Sequence, residues 1–77
     1  MSDVNEIRAL KASLRGATDT AQRLAVMQPK VDALDDHGGP GAELLEELAR
    51  VSTAHAVASN ALRGLIDTML KRREATR

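Results

Sequence analysis

The 77-residue chain contains no cysteine, phenylalanine, tyrosine or tryptophan. Without cysteine there is no disulfide framework, no thiolate metal site and no thiol nucleophile. Without aromatic rings there is no platform for stacking bases and no cage for a quaternary cation. Charge of one sign is also missing, since 11 Lys+Arg balance 11 Asp+Glu. A dedicated nucleic-acid binder normally shows a basic excess, so that function is not expected. No segment approaches the ~18 consecutive apolar residues that span a bilayer. The start, Met1-Ser2-Asp3-Val4-Asn5-Glu6, is acidic and has no apolar core, so no cleavable secretory signal is read there. The expected location is cytoplasmic, with export by a route that reads no cleavable signal left open.

What the chain does contain is thirteen Ala and ten Leu. These are the strongest helix formers, whereas strands favour the β-branched and aromatic residues that are scarce here. Three of the five glycines and one of the two prolines lie in His37-Gly38-Gly39-Pro40-Gly41, a loop signal that divides the chain in two.

Each half carries a helical stripe. Before the loop, a heptad reading places Ile7, Leu10, Leu14, Ala17, Ala21, Leu24, Gln28 and Val31 on one face, with Met27 and Leu34 widening it. Asp3 with Glu6 forms a capping pattern at its start. Pro29 lies inside the pattern and predicts a kink near Met27–Gln28. After the loop, Leu44, Leu48, Val51, His55, Ala58, Leu62, Leu65, Met69 and Arg72 follow alternating steps of four and three. Leu45, Ala54, Ala61 and Ile66 broaden that face. Glu43, Glu46 and Glu47 suit the positive end of the second helix dipole, and Lys71–Arg73 the negative end.

The expected fold is therefore all-α: an antiparallel, coiled-coil-like two-helix hairpin that dimerises into a four-helix bundle. Residues 1–77 form one domain, with a helix over about 3–36, a loop at 37–41, a helix over about 42–73 and a frayed basic tail at 74–77. Folding about Gly39 sets Val31 near Leu48, Leu24 near His55 and Ala21 near Ala58, and brings the acidic start beside Lys71–Arg73. A hairpin of this size without rings, disulfides or metal is marginal alone, so a further partner surface is expected. The expected interface residues are Ile7, Leu10, Leu14, Leu24, Met27, Val31, Leu34, Leu45, Leu48, Val51, His55, Leu62, Leu65, Ile66, Met69 and Leu70. Val4 joins the residues off the narrow seam.

Chemistry-bearing patterns are few. His55 sits on the apolar face, where a polar residue bonded to Gln28 or Ser52 would set register as buried polar groups do in coiled coils. Asp35-Asp36-His37 reads as loop solvation, because adjacent residues seldom converge on one ion. There is no nucleophile elbow, phosphate-cradling glycine loop or helical His-Glu-x-x-His. No enzyme activity, cofactor, metal or small-molecule substrate is expected.

The layout resembles that of the small helical-hairpin proteins related to the WXG-motif substrates of type VII secretion. The similar features are the Met-Ser-x-x-x-Glu-Ile-Arg start (Met1, Ser2, Glu6, Ile7, Arg8), the Ala-rich helix pair and the glycine-containing turn. The turn has no Trp-x-Gly and the second helix no Tyr-x-x-x-Asp/Glu, so the resemblance implies a hairpin and assigns no functional residue.

The leading functional expectation is a non-enzymatic protein–protein interaction module that pairs with itself or with another helical protein. The alternatives are a small nucleic-acid-associated regulator, antitoxin-like, contacting phosphate through Lys71–Arg77, and an exported type VII-like hairpin.

Overall fold

The computed structural model describes residues 4–34, 39 and 41–75. Two long helices run antiparallel and pack along their length: α1 over Val4–Asp32 and α2 over Ala42–Ala75. The pair is a rod of 59 × 19 × 16 Å with a radius of gyration of 17.6 Å. A compact domain of this length would have about 11–12 Å.

Local chemistry explains the helix ends. Gly41 caps α2, its carbonyl accepting from the Leu45 N–H at 3.2 Å. Glu43 sits in the first turn of α2, and Arg72 and Arg73 in the last, each opposing the partial charge of the dipole. α1 passes through Pro29 without breaking and ends at Asp32, not at residue 36 as the sequence suggests. The Ala33 N–H still reaches the Pro29 carbonyl at 3.0 Å, so the proline costs one bond in the final turn. The Leu34 N–H then donates to the Val31 carbonyl at 3.1 Å, a tighter closure typical of a terminating turn. α2 runs two residues past position 73. Asp3 of the expected cap, Asp35-Asp36-His37 and most of the loop lie outside the described residues, as do the last two positions of the tail.

On α2 most of the expected face is half-buried, Leu44, Leu48, Val51, His55, Ala58, Leu62, Leu65 and Met69, whereas Arg72 and the broadening Leu45, Ala54, Ala61 and Ile66 are exposed, and Glu47, Ser59 and Asp67 are half-buried instead. On α1 the seam is rotated. Its covered positions are Glu6, Leu10, Ser13, Ala17, Thr20, Leu24 and Met27, in steps of four and three, together with Gly16 beside Ala17. One column of the predicted stripe (Leu10, Ala17, Leu24) is kept, and the other moves back one residue, from 7, 14 and 21 to 6, 13 and 20. Since each residue advances about 100°, exchanging one of two columns turns the helix by about 50°. Ile7, Leu14 and Ala21 consequently leave the seam and are exposed. Met27, 3% accessible, is the one buried residue among the described residues.

Candidate interaction surface

The seam itself contains a polar layer. Thr20 Oγ1 lies 3.0 Å from the carbonyls of both Gly16 and Ala17, one turn back on its own helix. It also lies 2.8 Å from His55 Nδ1 across the seam. With its hydroxyl proton directed at a carbonyl, Thr20 accepts from a protonated Nδ1, which leaves Nε2 to accept from Ser59 Oγ at 3.4 Å. The expected partners Gln28 and Ser52 play no part in this layer. Gln28 Nε2 instead donates to Asp32 Oδ1 at 3.0 Å on the surface of α1. A Cβ placed on Gly16 would lie 3.8 Å from that of Ala58, so the helices approach closely one turn from the polar layer. Thr20 and Gly16 thus occupy the places that the sequence reading assigned to Leu24 and Ala21, a slip of about one turn.

The bond between Thr20 and His55 has a measurable weight. In a double-mutant cycle with Thr20→Val and His55→Leu, urea denaturation is expected to give a coupling of about 0.5–1.5 kcal/mol. A coupling indistinguishable from zero would show that the two side chains do not set the register together.

At the open end of the hairpin Arg72 Nη1 donates to Glu6 Oε2. The acidic start and the basic last turn therefore meet. Glu6 takes this bond from a largely covered position, with its side chain 16% accessible against 64% for Arg72.

Outside the seam the two flanks of the rod differ. Both helices are right-handed and run in opposite directions, so residues one step after a seam position fall on the same side of the pair. On α1 these are Ile7, Lys11, Leu14, Thr18, Ala21 and Ala25. On α2 they are Leu45, Ala49, Ser52, Ala56, Ser59, Arg63, Ile66 and Leu70. This leading flank holds every exposed Ile and Leu of the two helices: Ile7, Leu14, Leu45, Ile66 and Leu70. Arg63 on the same flank is paired with Asp67 at 3.3 Å.

The trailing flank, one step before the seam, carries more charge and smaller apolar residues, among them Ala9, Ala12, Ala54 and Ala61. Arg23 and Val26 from α1 share a cleft of 660 Å³ with Glu47, Arg50 and Ala54 from α2, which shows that these positions do lie on one side. Its exposed large apolar residues are two valines, Val26 and Val57.

Of the predicted interface residues, Leu10, Leu24, Met27, Leu48, Val51, His55, Leu62, Leu65 and Met69 line the hairpin's own seam. Ile7, Leu14, Leu45, Ile66 and Leu70 form the leading flank, while Val31 and Leu34 lie exposed where α1 ends. The sequence reading missed Glu6, Ser13 and Thr20 as seam positions because it weighed apolarity alone. A Thr one seam step from a Gly, opposite a seam His, was the available signal.

Among the described residues no three His, Asp or Glu side chains gather where a metal ion could be held. No helix among them is long and apolar enough to cross a membrane. No protein-family model, curated protein or solved structure matches the chain, so its likeness to the type VII hairpins extends to the two-helix hairpin fold and no family is shown.

Proposed function

We propose that this chain is a non-enzymatic protein–protein interaction module, a helical hairpin that works by laying its leading flank against other helices. One observation carries the reading. The chain exposes 6309 Å², whereas a compact folded protein of 8.3 kDa exposes about 4,600 Å². The excess of about 1,700 Å² per chain is the size of surface that obligate helical assemblies cover. It is also unevenly distributed: the exposed Leu and Ile of the helices gather on the leading flank, which carries Lys11 and Arg63, whereas Asp19, Arg23, Glu43, Glu47 and Arg50 lie on the other. Bulk exposure of an elongated rod would not by itself sort residues in this way.

Burial of apolar surface would then be the working principle, with the Thr20–His55 layer and the Glu6–Arg72 pair holding the two helices in the register that presents the flank. The nucleic-acid reading is weaker, because Arg72 of the basic C-terminal turn already serves Glu6.

The test is the stability of the isolated chain. At about 1 μM, far-ultraviolet circular dichroism is expected to show a hairpin melting early and with low cooperativity, since most of its apolar surface lacks cover. Covering the flank, by concentration or by a bound partner, should raise the midpoint. A monomer that melts cooperatively above about 70 °C, independent of concentration, would sink the proposal.

A further inference from the structure

Resting on that reading, we infer that the occupant of the leading flank is a second copy of this chain, docked hairpin on hairpin to complete a four-helix bundle. The area argues for a partner of the hairpin's own dimensions. A single short helix could not cover about 1,700 Å² along a 59 Å rod, whereas a second two-helix face of equal length can. Each copy would give up the same excess, and the total falls within the range of obligate homodimers.

Pattern argues for self-complementarity. Along the leading flank the large residues stand toward the two ends, Ile7, Leu14, Ile66 and Leu70 at the open end and Leu45 at the loop end. Between them lie Ala21, Ser52, Ala56 and Ser59. A two-fold axis along the rod brings the open end of one copy onto the open end of the other and small middle onto small middle, as a self-matching interface requires. Small residues in the middle let the helices approach there, and the ends supply the apolar contact.

Charge agrees as well. The chain has a formal net charge of zero, so two copies meet without long-range repulsion. Of the flank's two cations, Arg63 pairs with Asp67 within its own chain, and Lys11 has a long stem that lets its ammonium reach water at the rim. The trailing flank, with Arg23, Glu47 and Arg50 around its cleft, would face water in the bundle.

Sedimentation equilibrium on the full chain tests this, with helicity measured at the same concentrations. The expected mass rises from 8.3 kDa at about 1 μM to twice that at about 100 μM. Leu14→Glu and Leu70→Glu, at positions 55% and 54% exposed in the hairpin, should each weaken association by about 100-fold or more, because each buries a carboxylate against the partner. Val26→Glu and Val57→Glu on the trailing flank should change it by less than about threefold.

A variant that loses helix together with association is remeasured at higher concentration. Recovery of helix reports dissociation and supports the assignment, and failure to recover reports damage to the hairpin and overturns it. A dimer broken by the trailing-flank variants and not by the leading-flank ones also overturns it. A poorly helical monomer at every concentration overturns the second copy while leaving the interaction module standing with another partner. A stable, fully helical monomer overturns both.

Discussion

Met27→Ala is expected to lower the thermal midpoint of the hairpin by at least about 8 °C. Met27 is 3% accessible and stands between two clefts. One, of 660 Å³, lies against Val51 and Arg50, and the other, of 210 Å³, against Leu24, Val31 and Leu48. Removing the thioether chain would join them and let water through the hairpin at its best-packed point. Truncating a buried Met to Ala costs about 2–5 kcal/mol, as much as the whole core of so small a fold supplies. In a chain this short each kcal/mol moves the midpoint by about 4–8 °C. Met27→Leu, which conserves volume, should cost less than about 1.5 kcal/mol. A drop under about 4 °C for Met27→Ala, measured by circular dichroism, would show that the seam's stability lies elsewhere.

The opposite sign is expected at two glycines. Gly16 and Gly64 both lie inside helices, where glycine is about 1 kcal/mol less favourable than alanine. A Cβ at Gly16 would meet Ala58 at 3.8 Å, an ordinary contact, and one at Gly64 would meet nothing within 4 Å. Each carbonyl accepts from a threonine one turn on, Thr20 and Thr68, at 3.0 Å, and alanine leaves those bonds intact. The two sites lie on different helices and share no partner, so their effects should add. Gly16→Ala with Gly64→Ala should therefore stabilise the chain by about 1.5–2 kcal/mol, seen as a rise of about 6–16 °C in the midpoint. Gly16→Leu should do the reverse, since its longer side chain has to displace Ala58. If Gly16→Ala were to lower the midpoint, the seam would be tighter at Ala58 than the 3.8 Å separation indicates.

These expectations draw on unequal parts of what the sequence displays. The hairpin was legible because its signals are local: breakers gathered at 37–41, Ala and Leu on both sides, and dipole-matched charge at the ends of α2. The seam of α2 was legible as well, since among its competing columns only one is continuously apolar. On α1 two columns competed. Ile7, Leu14 and Ala21 are more apolar than Glu6, Ser13 and Thr20, and a reading confined to one helix selects them. The opposite helix reverses that choice. His55, half-buried in the seam, gains a polar partner in Thr20, and the partly covered Glu6 gains the exposed Arg72. A half-buried imidazole left unpaired in the seam forfeits a hydrogen bond worth about 0.5–1.5 kcal/mol, so pairing His55 offsets part of the cost of turning Ile7 and Leu14 outward.

The candidate surface follows from the same rotation. As residues of a predicted stripe, Ile7 and Leu14 belonged to the hairpin's own packing. In the structure they stand with Leu45, Ile66 and Leu70 on one flank, and that placement turns a marginal hairpin into one with a specific side to offer. The sequence by itself determined two amphipathic helices, the turn between them and the direction in which they pair, because periodicity and breakers act within a few residues. Only the tertiary structure decided which face of α1 is inside, because that depends on polar groups some 35 to 66 residues away finding partners across the seam.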